Sequence, residues 1–234
     1  MRHERPDSKA KRRADQVPVP DREPLRDPAD WASEFARQGS AGQRGYRLLV
    51  ELADIEPRIW RRLRVPDATP LPLLHRILQV AFSWKDQHLH EFRVGTVYFG
   101  VPDEDEPPPH IDEKHVRLYQ LLHEPGDRLT YLYDFGDSWE HELVLEDMRA
   151  EETPVAPSCL DGERAAPPED SGGIPGYRRL MEALRDPSHP DHVVSTRWAA
   201  KHDPEAVDLE LINRRLAKLP RGRSTMTWSS APHG

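Results

Sequence analysis

The most regular alternation of apolar and polar residues in this chain lies between residues 129 and 146. Aromatic and apolar side chains, joined by one histidine, occupy every second position of two runs: Leu129, Tyr131, Tyr133 and Phe135, then Trp139, His141, Leu143 and Leu145. Such alternation is typical of strands with one buried face, and Gly136-Asp137 between the runs can turn the chain. The pattern therefore predicts a β-hairpin. His141 shares the parity of the apolar residues, which indicates a polar ring held in an apolar wall.

Two further hairpins are predicted earlier in the chain. Residues 46–53 and 59–65 are apolar-rich runs separated by a turn at 54–57, and residues 88–94 and 96–99 flank Gly95. In the run 59–65 arginines alternate with apolar residues, so Trp60 shares a face with Arg62 and Arg64. A cation can stack on that indole, or the face can be a solvated edge.

Helical periodicity begins after the first hairpin. Thr69-Pro70 has the composition of a helix start, and a broad apolar stripe follows at Leu73, Leu74, Ile77, Leu78 and Ala81. This helix is predicted to be central, with His75 at the margin of the stripe in a structural hydrogen bond. Three more helices are expected at 175–184, 193–200 and 208–219, the last capped by Asp208.

This order of elements predicts the fold class. Strands come mainly first and helices last, which is the α+β pattern rather than regular βαβ alternation. We therefore expect a single α+β domain with a largely antiparallel sheet of hairpins around a central helix, and a helical C-terminal section.

Composition divides the chain into a body and two tails. The chain has 24 prolines, 36% hydrophobic residues and 32% charged residues, so a core must coexist with extended loop-rich segments. Residues 1–45 are predicted to be a disordered tail with a short helix around Trp31 and Phe35. The domain is expected at 46–219 and a second disordered tail at 220–234. An acidic, proline-rich stretch at 102–109 is predicted to be a mobile loop rather than a cation site.

Charge and cysteine content limit the classes of binding partner and of covalent cross-link that we expect. The net charge is −8, with 10 Lys/Arg against 8 Asp/Glu in residues 1–45 and 23 against 33 in the remainder. Because phosphate neutralisation supplies most nucleic-acid affinity, the acidic body predicts no strong binding to duplex DNA. The single cysteine, Cys159, excludes an intramolecular disulfide, and no apolar run predicts a membrane span. A cytoplasmic location without a membrane partner is expected.

Several motifs in one order resemble the plasmid pRi open-reading-frame-three-like family. They are Pro57-Arg-Ile-Trp60-Arg61, Leu74-His75, Gln79-x-Ala-Phe-x-Trp84, His88-Leu-His90-x-Phe92, the stretch Tyr131 to His141, Asp161-Gly-Glu-Arg164, Pro167-Pro-Glu-Asp170-x-Gly172-Gly173, and Asn213. The resemblance spans roughly residues 46–219. Members of that family are often described as insertion-element passenger proteins of TnpR type. The resemblance therefore implies a protein associated with plasmids and other mobile genetic elements, in a family without an established biochemical activity.

Standard catalytic motifs are absent from the sequence. It contains no Gly-rich phosphate loop with Lys, no His-Glu-x-x-His, no Gly-x-Ser-x-Gly and no cysteine pair with zinc spacing. It also lacks a recognisable recombinase motif around a Ser or Tyr nucleophile, so the TnpR description predicts no reaction. Family members often carry further cysteines near positions 166 and 171, where this chain has Ala166 and Ser171. A cysteine-rich zinc site is therefore not expected here.

A set of histidines and acids forms the remaining candidate chemistry. His88 and His90 are two residues apart on a predicted strand, and side chains at i and i+2 point to one face, where imidazoles can share a metal. The metal set predicted from the sequence is His88, His90, His141 and Asp137, and a divalent metal ion is the cofactor it would hold. The alternative is a polar network in which histidines and acids fix a loop against the sheet.

Two function classes follow from these residues. The first is a non-enzymatic binding or accessory protein that holds a peptide, a protein or a small ligand in a cleft lined by aromatic, His and Asp side chains. The alternative is a metal-dependent hydrolase or nuclease. The functional surface is predicted where the His88/His90 strand, the Asp134 to His141 hairpin and the Asp161 to Gly173 loop meet. The ligand-binding candidates are Trp84, His88, His90, Tyr133, Asp134, Asp137, Trp139, His141, Asp161, Glu169 and Asp170.

Overall fold

The computed structural model describes residues 44–102, 111–199 and 203–219. Apart from Arg44 and Gly45, which open the first strand, the predicted tails lie outside this part of the chain. The predicted helix around Trp31 and most of the acidic loop also lie outside it. None of the described helices is long and apolar enough to cross a lipid bilayer.

In the described residues, eight strands form one open sheet. They are β1 Arg44–Leu52, β2 Trp60–Pro66, β3 His90–Val94, β4 Val97–Gly100, β5 Ile111–Asp112, β6 Arg128–Tyr133, β7 Trp139–Ala150 and β8 Ser158–Glu163. Their spatial order is β5-β4-β3-β6-β7-β1-β2-β8. Every neighbouring pair is antiparallel except β4 and β5, so the largely antiparallel sheet predicted from the hairpins is confirmed.

Two helices lie between strands, and three follow the last strand of the described residues. They are α1 Leu71–Phe82, α2 Leu118–Leu121, α3 Gly173–Arg185, α4 His192–Ala199 and α5 Leu209–Leu216, with a 3-10 turn at Glu113–His115. Asp208 caps α5, because its Oδ1 accepts the Leu211 N–H at 2.8 Å, as predicted. The protein is a single α+β domain, which confirms the predicted fold class.

Helix α1 begins at a proline cap and ends in a left-handed residue that reverses the chain. Thr69 does not cap the helix; its hydroxyl donates to the Pro66 carbonyl at 2.6 Å, and Pro70 occupies the cap position. At the other end Ser83 adopts a left-handed conformation with φ 61°. The Trp84 N–H then donates to the Gln79 carbonyl at 2.9 Å. The chain therefore reverses directly after the helix, and the loop 83–89 leads back to the sheet.

The hairpin predicted at 129–146 is confirmed in its register. Tyr131 pairs with His141 and Tyr133 with Trp139, and all four side chains are buried. Glu140 and Glu142, on the opposite parity, are exposed. Phe135 departs from the predicted alternation. It lies in the turn beyond β6 and its side chain is 42% exposed, because the strand ends at Tyr133.

Strand β8 was not predicted, since residues 158–163 were expected to be part of a loop. This sheet-edge strand pairs with β2 and is covered by α5. Asn213 of α5 accepts the Cys159 N–H at 2.7 Å and donates to the Cys159 carbonyl at 2.9 Å. Its amide thus satisfies backbone groups as a neighbouring strand would, which protects the exposed edge of the sheet.

Strand β2 lies between β1 and β8 rather than at an edge. The guanidinium of Arg62 is 5.2 Å from the centre of the Trp60 ring, so of the two alternatives for this face the stacked arrangement is found. Arg61, on the opposite parity, is buried, which agrees with the predicted alternation.

Candidate functional site

Three segments distant in sequence meet around the imidazole of His88. His88 precedes β3 in the loop after α1, Asp134 lies in the β6–β7 turn, and Glu169 and Asp170 lie in the loop between β8 and α3. His88 Nε2 is 3.5 Å from Asp134 Oδ2, 3.3 Å from Asp170 Oδ1 and 3.7 Å from Glu169 Oε2. We call these four residues the His88 cluster.

The β6–β7 turn presents one oxygen of Asp134 to His88. Asp134 has φ 59°, a left-handed conformation that Asp tolerates better than most residues. Its Oδ1 accepts the Gly136 and Asp137 N–H groups at 3.0 and 3.2 Å. Its own N–H donates to the Leu89 carbonyl at 2.9 Å, which ties the turn to the loop that carries His88. Oδ1 therefore serves the turn, and Oδ2 faces the imidazole.

Asp137 holds the third segment in place. Its Oδ2 accepts the Gly172 N–H at 3.0 Å. Gly173 has φ 64°, and a Cβ built there would lie 2.6 Å from the Asp137 carbonyl oxygen, so only glycine fits this close approach. Asp137, which belonged to the predicted metal set, thus positions the loop that carries Asp170.

Glu169 fixes the loop from the other side. Its Oε1 accepts the Tyr133 hydroxyl at 3.1 Å and the Lys85 N–H at 2.8 Å. Burial raises the pKa of Tyr133 to about 12, so the phenol remains a donor at neutral pH. Tyr133 also accepts the Gln87 N–H at 3.1 Å. The loop 83–89, β6 and the loop before α3 are therefore joined by these side chains.

The spacing of the donor atoms suits a shared cation better than direct hydrogen bonds. The His88 Nε2 atom is buried and has no hydrogen-bond partner among the described residues. One ligand atom from each of His88, Asp134 and Asp170 lies within 4.8 Å of the other two. In a tetrahedral site with metal–ligand bonds of 2.0–2.1 Å, donor atoms are about 3.3 Å apart. The Asp170 side chain is 75% exposed, so the cluster opens to solvent on that side.

His141 lies apart from this cluster, in the core. Its side chain is fully buried, its Nδ1 is 3.2 Å from the Tyr131 carbonyl oxygen, and its edge meets the rings of Phe82 and Trp84. Burial lowers the pKa of His141 to about 3, so the ring is neutral over the physiological range. The structure therefore gives His141 a packing role and does not bring it to His88.

His90 belongs to a second polar group. Its ring stacks on His75 with centroids 3.6 Å apart, and its Nε2 is 3.1 Å from Glu113 Oε2. His75 is bonded through both nitrogens, 2.8 Å from the Tyr131 hydroxyl and 2.8 Å from Asp86 Oδ1. Burial lowers the pKa of His75 to about 4. His90 therefore takes part in a network of side chains beneath the sheet rather than in the His88 cluster.

Asp86 and Glu113 are partners of histidines that were not predicted from the sequence. Asp86 is two residues before His88, and Glu113 follows the acidic loop. Each is brought to its histidine by tertiary contacts, so no local pattern marks them. The only sequence signal for this network was the spacing of His75 and Gln79. These residues are four apart on α1, so they lie on one face of the helix, and both reach the Tyr131 hydroxyl.

The aromatic candidates pack in the core, and Trp84 also forms part of a cavity wall. Trp139 is 1% exposed and Trp84 is 7% exposed. Trp84 stacks on Tyr133 with centroids 4.8 Å apart, and its Nε1 donates to the Pro167 carbonyl at 2.9 Å. Asp161 lies on the exposed face of β8, where its Oδ2 is 3.4 Å from Arg62 Nη1. The structure places Asp161 on this arginine and not in the His88 cluster.

A cavity of about 230 Å³ adjoins the cluster and shares Glu169 with it. It lies between the end of α1, the loop after β8 and α5; its lining includes Arg61, Phe82, Trp84, Lys85, Glu169 and Ile212. Burial lowers the pKa of Arg61 to about 10, and its Nε donates to the Ala81 carbonyl at 2.9 Å. The cavity is therefore lined by apolar side chains together with the positively charged guanidinium of Arg61.

Comparison with known proteins gives relatives of the whole body. The family model described as plasmid pRiA4b ORF-3-like protein matches residues 44–211. The uncharacterized protein y4hQ of Sinorhizobium fredii (strain NBRC 101917 / NGR234) is 38% identical over 176 residues, which are 74% of this chain and 91% of that protein. The crystal structure of the protein of unknown function MM3350 from Methanosarcina mazei Go1 is 34% identical, with a TM-score of 0.64. The match covers 71% of this chain and 96% of that one.

Proposed function

We propose that this chain, which belongs to the plasmid pRiA4b ORF-3-like family, is a binding or accessory protein that holds a divalent metal ion between His88, Asp134 and Asp170. Family membership confirms the resemblance drawn from the sequence motifs, and it carries an association with plasmids. The association with insertion elements belongs to the proposal.

The separation of the donor atoms carries this proposal. At 3.3 and 3.5 Å, the two carboxylate oxygens are too far from His88 Nε2 for good hydrogen bonds and at the right distance for ligands of one small cation. Carboxylates gathered around an imidazole also repel one another, and a divalent cation removes that repulsion. Imidazole nitrogen with carboxylate oxygen suits Zn²⁺, Fe²⁺ or Mn²⁺.

The exposed side of the cluster supports a binding role. Three protein ligands leave coordination positions open, and the 75% exposed side chain of Asp170 marks the solvent side. An oxygen or nitrogen donor from a peptide, protein or small ligand would complete the coordination. The neighbouring cavity supplies apolar surface for the rest of a small ligand, since Glu169 borders both.

The same open positions support the alternative, a metal-dependent hydrolase or nuclease. A metal with three protein ligands can bind a water molecule and lower its pKa, and a carboxylate such as Glu169 beside it can act as a base. The two functions are separated by assaying the metal-loaded protein with a model phosphodiester and a model ester. Turnover that disappears in Asp170→Asn would establish the hydrolase and contradict the binding role.

Both the binding role and the hydrolase require a bound metal ion, and metal analysis tests this requirement. We expect protein purified without a histidine tag to bind one Zn²⁺ or Mn²⁺ per chain, measured by elemental analysis and calorimetry. His88→Ala and Asp170→Asn should each weaken binding by at least about tenfold, because each removes one of three protein ligands.

Asp161→Asn is the matched control for these variants. Like Asp170→Asn, it neutralises an exposed carboxylate. The Asp161 carboxylate lies on β8 and contacts Arg62 rather than His88. Metal affinity should be unchanged in this variant. Equal affinity in all four proteins would show that the metal binds elsewhere, and absence of binding to the unsubstituted chain would refute the proposal.

A further inference from the structure

Arg61 is a buried cation that forms no ion pair with any carboxylate of the described residues. Its side chain is only 2% exposed, and burial lowers its pKa. The one side chain whose charge would oppose that effect is Cys159. Burial raises the pKa of the Cys159 thiol, so the thiol is neutral at neutral pH and supplies no counter-charge. Buried charges in proteins are usually paired, so this guanidinium lacks the partner expected of it.

Backbone carbonyls hold part of the Arg61 guanidinium in a fixed position. Nε donates to the Ala81 carbonyl at 2.9 Å, and Nη1 donates to the Trp60 and Glu163 carbonyls at 2.7 and 3.0 Å. Gly162 leaves room for the side chain, because a Cβ added there would lie 2.8 Å from Arg61 Cδ. Nη2 has no acceptor in the part of the chain that the structure describes. Two N–H groups of a rigidly held cation therefore remain free.

The free nitrogen belongs to the cavity of about 230 Å³ that adjoins the His88 cluster, because Arg61 is one of the residues that line it. Trp139 Nε1 is also unpaired, but it is completely enclosed by protein. Nη2 of Arg61 is not enclosed in this way, and the cavity is the open space beside it. A ligand in the cavity can therefore accept from Nη2.

Most of the cavity wall is apolar. Phe82 and Trp84 stack with ring centroids 5.7 Å apart and form one side. Further apolar lining comes from Ala166, Pro167, Leu211 and Ile212. Since a cavity of roughly 150 Å³ can hold benzene, this one has room for a ring or a short branched chain that carries a small polar group.

The acids of the lining differ from its cations in having partners. Glu169 Oε1 accepts the Tyr133 hydroxyl and the Lys85 N–H, and Asp208 Oδ1 accepts the Leu211 N–H at the start of α5. The ammonium of Lys85 is exposed and, like Arg61, forms no ion pair with a carboxylate that the structure describes. The protein therefore supplies donors for both acids and leaves both cations without an anion.

We propose that this cavity binds a small monocarboxylic acid, whose carboxylate accepts from Arg61 Nη2 and whose apolar body packs against Phe82, Trp84 and Ile212. The carboxylate supplies the missing counter-charge, and a charge-assisted hydrogen bond to a preformed guanidinium is stronger than one between neutral groups. This assignment names the class of small ligand in the proposed function and rests on it to that extent. Binding in the cavity itself needs no metal.

Calorimetry in chelator with benzoate and benzamide tests the role of the charge. The two molecules have nearly the same size, but only benzoate carries a charge. We expect benzoate to bind the unsubstituted chain at least about tenfold more tightly, because only its carboxylate neutralises Arg61. Equal affinities would show an apolar cavity without an anion site, and no binding at millimolar benzoate would equally overturn the proposal. The comparison is made between ligands because replacing Arg61 would also leave three carbonyls without a donor.

Ala206→Trp tests the location. Ala206 is an exposed residue of the cavity wall, so a large side chain there should fill the cavity without removing a contact of the core, and benzoate affinity should fall at least about tenfold. Ala150→Trp, at an exposed alanine on β7 outside the lining, is the matched control and should bind benzoate normally. Equal affinity in both variants would place benzoate elsewhere.

Lys85→Gln separates the two cations of the lining. Because the Lys85 ammonium is exposed, its loss should weaken benzoate binding by less than about threefold and preserve the preference over benzamide. Disappearance of that preference would place the carboxylate at Lys85 and overturn the role of Arg61.

The outcome with metal distinguishes this inference from the metal site. His88→Ala should leave benzoate affinity in chelator unchanged. If benzoate binds only the Zn²⁺-loaded chain, its carboxylate is a ligand of the metal, and the cavity site fails while the metal site stands. Benzoate binding by a chain that takes up no metal would support the cavity site and refute the metal site.

Discussion

His88 and His141 are both surrounded by acids or aromatic rings, yet their environments differ in kind. His141 is fully buried, its Nδ1 faces one backbone carbonyl, and its ring packs against Phe82 and Trp84. His88 is partly exposed, and three carboxylates face its Nε2 at 3.3–3.7 Å. The first environment excludes charge, and the second attracts a cation.

The comparison shows that a histidine in a conspicuous motif does not by itself indicate a ligand. A buried histidine without a nearby carboxylate is best explained by packing, because its environment favours the neutral ring. A histidine whose nearest carboxylate oxygens lie at 3.3–3.7 Å without forming a hydrogen bond lacks the partners that would complete a structural network. The His75 and His90 pair lies between these cases, since carboxylates are present but at hydrogen-bond distance.

The largest expected effect is that of His141→Ala on stability. Removing a fully buried ring should lower the free energy of unfolding by about 3 kcal/mol, as for other large buried side chains replaced by alanine. The loss should be the same with chelator and with added Zn²⁺, measured by urea unfolding. His123→Ala, at an exposed histidine, is the control and should change little. A loss seen only with metal would mean that His141 is a ligand after all.

Gly173→Ala tests how the third segment is held. The substitution forces a side chain into φ 64° and against the Asp137 carbonyl oxygen, so we expect a loss of about 2 kcal/mol and weaker metal binding. Gly95→Ala is the matched control, because Gly95 has φ 56° but a Cβ added there would meet nothing within 4 Å. It should cost about 1 kcal/mol and leave metal affinity unchanged. If both variants bind metal normally, the loop does not position Asp170.

Local pattern accounts for much of the fold and for less of the site. Alternation predicted the β6–β7 hairpin and the burial of His141, because strand parity depends only on neighbouring residues. It could not predict β8, since Cys159-Leu-Asp-Gly162 lacks β-branched residues and the strand is completed by Asn213, 54 residues away. The convergence of His88, the turn and the loop before α3 was predicted from motif content. Which histidine faces the acids was not, because that depends on the backbone of Asp134 and on the contact between Asp137 and Gly172.

The free energy of unfolding should fall at acidic pH because of the buried histidines His141 and His75. The pKa of His141 is 6.5 in an unfolded chain and about 3 in the folded protein. Between these values the unfolded chain binds a proton that the folded protein does not, so the stabilisation is complete above pH 6.5 and declines as the pH falls. The expected loss is about 1.4 kcal/mol per pH unit for each such histidine. His75, whose pKa is about 4 in the folded protein and 6.5 in an unfolded chain, contributes a second proton only between these two values.

Urea unfolding between about pH 6.5 and pH 5 measures this slope. His141→Leu should reduce it by one proton, which is half of the contribution from the two buried histidines. An unchanged slope in His141→Leu would contradict the neutral, buried state of His141. His123→Leu again serves as the control, because an exposed ring is solvated in both states.

The smallest expected effect is that of His88→Ala without metal. The His88 ring forms no hydrogen bond through Nε2 to any described residue and is 27% exposed, so its removal should change the free energy of unfolding by less than about 0.5 kcal/mol in chelator. With Zn²⁺ at about a hundred times its dissociation constant, the unsubstituted chain should gain about 2.7 kcal/mol and the variant should not.

In chelator the double variant His88→Ala, His141→Ala should lose the sum of the two single effects, because the rings lie in separate environments and independent sites are additive. A large loss from His88→Ala in chelator would make His88 part of a structural network like that of His75, and the contrast between the two histidines would disappear.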